Sequence, residues 1–476
     1  MPPRQKKEKH LSQNNPPHLP FEDPPFRLSM GLLKTPIEEW FETFDPVERA
    51  FQMEEKRRLL HPLQTGGYNW SEFSGPFVNT RGSTFNWVCV SKDHETVYAK
   101  APGLMRLQRI KQLSILANPM LAPTEQCCHD LIFTHTREEH SQLAAAYAET
   151  MMRLSGRSDD DTKKVVVAAL LHDVATVAGG DAMKMVAPKE LDEEMLAERV
   201  LKRDPVLPFL QEEKLDPDEI LAIIKNEGLL GKVLDLVDRL SYTALDSFHF
   251  CDLYDLEDEA VSEWPEHIRH YHTKGKAAAD IMYANPNLFD FIFSFRVTDE
   301  GICCQDPDSL GKFLELRAVM HRDLYMDAFA HISEVFLSPF CEHIYEKKGV
   351  EWLLEADNRE LYDEVAGVVR RNSGLDVTPW MEGLLRNYDV CVDELSTDDD
   401  VTVFKRKLMR QGRVAIKELD FRRGFNSNTN LLVCTDDNAI PFYVEQPEVA
   451  QRIEQIVDQV RTIRVYHARP YFKSFL

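Results

Sequence analysis

The sequence predicts a mainly α-helical fold, in which a helical core is followed by a smaller α+β region. Residues 165–171 are apolar throughout, a pattern typical of a helix that is buried on all sides. Residues 189–260 follow a helical pattern that is interrupted only at two Asp-Pro pairs. Beyond about residue 347, strand-like segments at residues 431–434 and 463–466 alternate with helical ones. These patterns predict a helical core that is followed by a region of mixed helices and strands.

Length and composition favour a large core with appended parts. The chain has 476 residues, of which 43% are hydrophobic, and this is enough for an extensive packed interior. Prolines and charges without apolar periodicity, as found at the start of the chain, are typical of disorder. We therefore predict four parts: a disordered tail at residues 1–26, a mixed N-terminal segment at 27–100, the helical core at 101–345 and the α+β region at 346–476.

Composition also limits where the protein acts and what it binds. No apolar run is long enough to cross a membrane, and the start of the chain lacks the apolar segment of a signal peptide. The nine cysteines show no Cys-x-x-Cys spacing, so we expect reduced thiols, a cytoplasmic or nuclear location and no membrane partner. The net charge of −23 argues against broad nucleic-acid binding, although it permits a local pocket for a small polyphosphate.

Local signals predict further elements along the chain. Three consecutive aspartates, Asp159 to Asp161, favour a helix N-terminus, because acidic groups complement the helix dipole there. The helix that follows ends at Ala178-Gly179-Gly180, since glycine breaks the pattern. The other predicted elements are a hairpin of residues 84–90 and 96–98, a basic amphipathic helix at 104–116, short strands at 289–297 and 301–304, and one long helix at 310–336.

Four polar residues on these helices form a candidate metal site. The apolar run ends on His172 and Asp173. Both are residue types that bind metals, and polar side chains at the end of a buried helix need partners that compensate their loss of water. His140 lies at the start of the helical run at residues 143–154, and Asp238 lies on a later helical pattern. Two imidazoles and two carboxylates can hold one divalent cation, which lowers the pKa of a bound water and polarises a phosphoryl oxygen. The mixed ligand set favours Mn, Fe or Zn, with Mg possible.

A second group of polar residues extends along the helix that carries Asp238. Asp238, Tyr242 and Asp246 recur at intervals of four, which places them on one face of the helix, with Arg239 beside them. A purely structural face would be apolar, and leucines already supply that face. A carboxylate, a phenol and a carboxylate in line therefore predict the lining of a polar-ligand pocket. The alternative interpretation is an ordinary solvated face.

The spacing of these ligands resembles that of the HD phosphohydrolase superfamily. Within it, the chain is most similar to the branch of SAM-and-HD-domain deoxynucleoside triphosphate triphosphohydrolases, over roughly residues 100–340. The resemblance is carried by residues 102–113, by the motif at 135–141, by Asp238-Arg239 with Tyr242 and Asp246, by residues 295–303, and by Arg317, His321, Arg322 and Tyr325.

The resemblance implies an activity and a role for each matching residue. The activity is hydrolysis of a deoxynucleoside triphosphate with release of triphosphate, catalysed around His172, Asp173 and Asp238 in a homo-oligomer. The resemblance further implies that Arg137, Arg239 and Arg317 contact the triphosphate, a task that suits the bidentate guanidinium group. It also implies that Tyr242 and Asp246 contact the sugar, and that Tyr325 lies along the base and sugar.

The chain departs from this branch where the branch has catalytic histidines. Val174-Ala175 stands where the branch has Gly-His, Asp181 stands where it has a further histidine, and Asp192-Glu193 stands in place of a His-Glu pair. Met105 replaces a glutamine that stacks on the sugar. Asp181, Asp192 or Glu193 could act as the general acid if burial raised its pKa.

These departures leave two alternative functions open. One is a phosphatase or phosphodiesterase that acts on another nucleotide. The other is a nucleotide sensor or scaffold that keeps the pocket and has lost turnover. A panel of nucleotide substrates separates these alternatives, because only the sensor binds nucleotide without releasing a product.

Overall fold

A computed structural model describes residues 77–78, 84–85, 97, 100–110, 112, 135–255, 266–285, 288–373, 391–422, 427–434 and 439–468. The predicted tail at residues 1–26 lies outside these ranges, as does the side chain of Met105. Strand β1 (Phe77–Val78) pairs antiparallel with β2 (Thr84–Phe85). The predicted hairpin is therefore wrong in its partner strand, and Val97 is helical. Similar aromatic and β-branched composition on both sides of Thr84 left the choice of partner to tertiary packing.

Helices make up most of the described chain. The helix predicted from residue 104 is one turn long, Leu104–Leu107, and is labelled α1. The helices that follow are α2 Arg137–Leu154, α3 Asp159–Leu171, α4 Gly180–Lys184, α5 Glu193–Leu201, α6 Val206–Glu212, α7 Pro217–Ile224, α8 Gly228–Tyr254, α9 Glu266–Lys274, α10 Lys276–Ala284, a 3-10 helix Leu288–Ser294, α11 Pro307–Met320, a π-helical turn His321–Tyr325, α12 Ala328–Glu355, α13 Asn358–Ser373, α14 Asp398–Arg410, α15 Phe442–Glu445 and α16 Pro447–Asp458.

Helices α2, α3 and α8 pack together at the centre of the core. Alanines such as Ala144 and Ala148 on α2 and Ala169 on α3 are fully buried, and their small side chains let the helix axes approach closely. The Ser158 hydroxyl caps α3 by accepting a hydrogen bond from the Asp161 amide at 3.1 Å, as expected from the acidic start of that helix. The predicted buried helix at residues 165–171 is confirmed, since every residue in it is inaccessible to solvent.

Two further small sheets are formed, one from strands of both the core and the C-terminal region and one from C-terminal strands alone. The first has the order β3-β4-β7-β8, with strands Phe295–Val297, Ile302–Cys304, Leu432–Cys434 and Ala439–Pro441. Strands β4 and β7 run parallel, and the other two pairs are antiparallel. The second sheet has the order β5-β9-β6, with strands Cys391–Leu395, Ile463–Ala468 and Val414–Asp420, all antiparallel. The prediction of a mainly α-helical protein with a smaller α+β C-terminal region is confirmed.

The parallel pairing of β4 with β7 overturns the prediction that all cysteines are reduced thiols. Cys303 on β4 and Cys434 on β7 form a disulfide across 131 residues of sequence. Two cysteines that lie so far apart give no local signal, because only the tertiary pairing of their strands brings them together. Among the described cysteines, Cys304 is a buried free thiol.

The long helix predicted at residues 310–336 is also wrong. Helix α11 changes to the π-helical turn after Met320, and helical geometry stops at Met326, where φ is −109° and ψ is 17°. Asp327 at this break accepts a hydrogen bond from the ring of His270 at 2.9 Å. The local sequence favours helix throughout, so contacts from distant segments impose the break. Within the described ranges, no helix has the length and apolar character that a membrane span needs.

Candidate metal centre

Three packed helices each place one side chain at a common point. His140 lies in the second turn of α2, His172 follows the last residue of α3, and Asp238 lies in the middle of α8. The first turn of α2 is fixed by a capping box. In it Thr136 accepts a hydrogen bond from the Glu139 amide and its own amide donates to the Glu139 carboxylate. Because the three helices are held by buried packing, the positions of these side chains are set by the core.

The ligand atoms of these three residues converge. The Nε2 atoms of His140 and His172 lie 3.1 Å apart, and the Asp238 Oδ1 atom lies 2.9 Å and 3.4 Å from them. All three ligand atoms fall within 4.8 Å of one another. His140 is 1% exposed, whereas the Asp238 side chain is 34% exposed. The cluster is therefore buried on one side and accessible on the other.

Hydrogen bonds to the other ring nitrogens prepare both imidazoles to bind a metal. The Ser241 hydroxyl donates its proton to the carbonyl of Asp238 at 2.9 Å, so its oxygen can only accept from His140 Nδ1, 3.0 Å away. The carbonyl of Ala169 accepts from His172 Nδ1 at 2.7 Å. In the neutral rings both protons therefore lie on Nδ1, and both Nε2 lone pairs face the cluster. The residues present thus fit a divalent cation.

The fourth predicted ligand, Asp173, lies beside the cluster and faces an arginine. Its Oδ2 atom is 3.7 Å from His140 Nε2 and 3.6 Å from His172 Nε2. Arg137 Nη1 donates to both carboxylate oxygens of Asp173, at 3.1 Å and 3.0 Å. The structure thus places Asp173 between the cluster and Arg137, and its role as a ligand stays a prediction.

Asp173 is also linked to a half-buried glutamate, Glu193, that the sequence singled out. The Thr176 hydroxyl lies within reach of Asp173 Oδ1 at 3.2 Å and of Glu193 Oε1 at 3.3 Å. Glu193 also pairs with the ammonium group of Lys184. Burial raises the pKa of the Glu193 carboxyl, against the opposing effect of Lys184. Of the other two candidates, Asp181 lies near Lys184 and Asp192 caps α5.

The charges in the cluster shift the pKa of its members. Burial disfavours the charged ring of His172, but the carboxylates of Asp173 and Asp238 outweigh it and raise the pKa to about 9. Burial also opposes ionisation of Asp238, yet hydrogen bonds from His140 and His172 hold its pKa well below the usual range. A site in which the surroundings keep the carboxylates ionised is suited to a bound cation.

A cavity of about 380 Å³ opens next to the cluster. Its size lies in the range of small-molecule sites. Among the described residues, seven carboxylates line it, together with the strong cations Arg137 and Lys184. The described residues of the lining are Gln112, Arg137, His172, Asp173, Asp181, Lys184, Glu193, Glu194, Ile224, Asn226, Leu234, Asp235, Asp238, Tyr242, Asp246, His321 and Tyr325.

The predicted sugar-binding residues form one wall of this cavity. The rings of Tyr242 and Tyr325 meet edge to face, with centroids 5.7 Å apart. Asp246 accepts a hydrogen bond from the Tyr325 hydroxyl at 2.5 Å, and its other oxygen lies 2.5 Å from His135 Nε2. Burial raises the pKa of the Asp246 carboxyl to about 7. The predicted face of α8 thus lies along the cavity.

The predicted phosphate-binding arginines do not share one environment. Arg137 lines the cavity and holds Asp173. Arg317 is buried and donates from Nη2 to the Tyr242 hydroxyl at 3.1 Å. Arg239 pairs with Asp235, one helical turn earlier on α8. Each of the three already has a protein partner, so binding phosphate requires sharing or exchanging that partner.

Sequence reasoning missed several residues of this site, among them Ser241 and Lys184. Ser241 orients His140, and a signal existed, because Ser241 lies three residues after Asp238 and so shares its helix face. Lys184 lines the cavity from α4, and nothing in the local sequence distinguishes it from a solvated lysine.

Residues 137–243 match the model of the HD domain family. The matched range begins one residue after the cap of α2 and includes His140, His172, Asp173 and Asp238. A comparison with the sequences of curated proteins gives no match.

Two solved structures have a similar fold. A hypothetical protein from Aquifex aeolicus aligns with a TM-score of 0.55 and 15% identity, over 84% of this chain and 98% of its own. A phosphohydrolase from Bacteroides thetaiotaomicron aligns with a TM-score of 0.54 and 15% identity, over 83% of this chain and 99% of its own. At this identity the likeness shows a shared fold.

Proposed function

We propose that the protein is a metal-dependent phosphohydrolase that acts on nucleotides, with deoxynucleoside triphosphates as the leading substrate class. The observation that carries the proposal is the convergence of His140, His172 and Asp238 with both Nε2 lone pairs directed inward. HD domains bind divalent metals, and a structural neighbour of similar fold is named a phosphohydrolase. When bound, such a cation polarises a phosphoryl oxygen and makes water more acidic.

The protein's own residues supply the rest of the proposed chemistry. Arg137 lies beside the cluster and presents a guanidinium group to phosphate oxygens without losing its hold on Asp173. Lys184, paired with Glu193, supplies a second positive charge at the cavity wall. Glu193 lines the same cavity and burial raises its pKa, which supports it as the group that gives a proton to a leaving oxygen.

The aromatic part of the cavity wall supports a nucleotide as the ligand. Tyr242 and Tyr325 offer two aromatic surfaces for a sugar or base. Asp246 offers an acceptor for a sugar hydroxyl close to them. A wall of this kind gives a polar ligand both an apolar face and a hydrogen-bonding group to recognise.

The charge of the cavity favours a second candidate substrate class. Seven carboxylates against two strong cations disfavour a ligand with four negative charges, unless it enters with its own divalent cations. A phosphate monoester or diester of a nucleoside carries fewer charges. The same residues would then act on a phosphatase or phosphodiesterase substrate.

A substrate panel tests the proposal and separates the two classes. We expect the purified chain with Mn²⁺ to hydrolyse at least one of dATP, ATP, dAMP or a cyclic nucleotide. The double variant His172→Ala/Asp238→Ala should lose that activity, and the exposed-site control His343→Ala should keep it. Triphosphate as the product identifies the leading class, and inorganic phosphate or opened cyclic nucleotide identifies the second. Tight nucleotide binding without any product from the metal-loaded protein would contradict the proposal and leave a sensor.

A further inference from the structure

Two short helical segments carry different parts of the cavity wall. Helix α4 has five residues and supplies Asp181 and Lys184 to the lining. The π-helical turn, also of five residues, supplies His321 and Tyr325. Helix α4 is too short to be stable as an isolated helix in water, because one turn hardly compensates the entropy lost in forming it. Its position must therefore be held by the surrounding structure, whereas the π-helical turn continues α11 and ends freely at Met326 unless other contacts hold that end.

The C-terminal sheet β5-β9-β6 contacts the end of each segment through a cationic side chain. Lys417 on β6 donates from Nζ to the carbonyl of Met185, the residue that ends α4, at 3.0 Å. Arg464 on β9 donates from Nη1 to the carbonyl of Met326, the residue that ends the π-helical turn. Carbonyl groups at the end of a helix lack partners within the helix and attract cations.

The two contacts come from neighbouring positions of one sheet. Strands β6 and β9 are paired, with Lys417 opposite Tyr466 and Leu419 opposite Arg464. The two donors are therefore fixed relative to each other by the backbone hydrogen bonds of the sheet. The paired strands β6 and β9 therefore couple the positions of the two parts of the cavity wall.

Packing around both contacts makes them rigid. Arg464 is 3% exposed, bonds Glu394 Oε1 from Nε at 2.8 Å, and lies over the ring of Phe421 at 4.9 Å. The side chain of Met185 packs in a small apolar cluster with Tyr466, Ile416 and other residues of the same sheet. The sheet thus holds the end of α4 through both the carbonyl and the side chain of Met185.

We propose that Lys417 and Arg464 are positioning residues, through which the C-terminal sheet holds the two cavity walls at the distance that a nucleotide needs. The inference rests on the proposed function for its effect on nucleotide binding, but the mechanical link does not depend on it. The metal-binding side chains lie on α2, α3 and α8, so loss of either contact should alter nucleotide binding and leave metal binding unchanged.

Hydrogen exchange followed by mass spectrometry tests the mechanical link in the full-length chain. We expect Lys417→Met to speed amide exchange in residues 180–186, and Arg464→Met to speed it in residues 321–327. Each effect should be about tenfold, in keeping with the loss of a hydrogen bond from a charged donor. Exchange in α3 and α8 should not change. The conservative variants Lys417→Arg and Arg464→Lys retain a donor and should restore most of the protection.

Binding measurements then test the functional effect. We expect the KM of the preferred nucleotide to rise about tenfold in Lys417→Met and Arg464→Met, while kcat and the Kd of Mn²⁺ change little. Two variants serve as matched controls. Lys405→Met removes the ion pair between Lys405 on α14 and Glu418 on β6, the strand that carries Lys417. Arg461→Met removes the ion pair between Arg461, which lies just before β9, and Asp458. Neither control should alter exchange or KM.

Two results would overturn the inference. One is unchanged exchange in both segments of the folded variants, and the other is equal loss of nucleotide and metal affinity. If Arg464→Met does not fold, Arg464→Lys and Lys417→Met decide the question through the same exchange measurement. If the wild-type chain hydrolyses no nucleotide, the proposed function fails, whereas the exchange data still test the link.

Discussion

Ser241 determines which ring nitrogen of His140 carries the proton and which one faces His172 and Asp238. Its hydroxyl has one proton, which it donates to the Asp238 carbonyl, and it therefore accepts a hydrogen bond from His140 Nδ1. Without this acceptor, the buried His140 ring gains nothing from carrying its proton on Nδ1. Partners of this kind commonly contribute a factor of about 10 to 100 to metal affinity.

We predict that Ser241→Ala weakens metal binding and leaves the fold intact. The Kd for Mn²⁺, measured by isothermal titration calorimetry, should rise at least about tenfold. The matched control is Ser247→Ala, because Ser247 is buried on the same helix and donates to the Ala244 carbonyl at 3.0 Å. An equal Kd in the wild type and both variants would show that Ser241 does not orient His140.

At the level of single residues, the sequence predicted residue types better than their partners. The spacing of His140, His172 and Asp238 was sufficient to predict that they meet, because each lies on a strongly patterned helix. The pairing of Arg239 with Asp235 was not foreseen, although an acid four residues before a base on a helix favours such a pair. The choice between a phosphate and a carboxylate as partner depends on neighbouring helices, which a local pattern does not describe.

Among the elements, helix α2 depends on its first turn to present two residues of the site. The capping box of Thr136 and Glu139 satisfies amides that the helix cannot satisfy itself. Arg137 immediately follows the cap, and His140 lies one turn beyond it. Fraying of this turn would move both residues away from the cluster.

We predict that Thr136→Ala lowers both stability and metal affinity. Loss of the cap should reduce the free energy of unfolding by about 1 kcal/mol, measured by urea denaturation. The control Thr397→Ala removes a similar cap from α14, where Thr397 accepts from the Asp400 amide at 3.1 Å. It should cost similar stability without changing the Kd for Mn²⁺. A loss of metal affinity in the control as large as in Thr136→Ala would contradict the assignment of this role to the cap.

Elements with strong local signals were predicted well, and those shaped by distant contacts were not. The acidic start of α3 defined its first turn, but the helix ends at Leu171 and not at the glycines Gly179-Gly180 that were expected to end it. The break between the π-helical turn and α12 was not predictable, because Arg464 and His270, which contact Met326 and Asp327, come from distant parts of the sequence. The same holds for β1, whose pairing with β2 is chosen by tertiary packing.

At the scale of the whole molecule, the helical core and the C-terminal region are joined in several ways. The disulfide between Cys303 and Cys434 links the two regions, and the parallel pair β4 and β7 does so through backbone hydrogen bonds. Lys417 and Arg464 add the contacts to the cavity walls. None of these connections has a sequence signature, since each joins residues more than 100 positions apart.

The metal content of the purified protein tests the central claim most directly. A metal held by three helices binds the folded chain and should be retained through purification at one equivalent per chain. We predict about one equivalent of a divalent metal in the wild type and in the exposed-site control His343→Ala, measured by plasma mass spectrometry. The folded double variant His172→Ala/Asp238→Ala should retain almost none. Stoichiometric metal in that variant would contradict the assignment of the site.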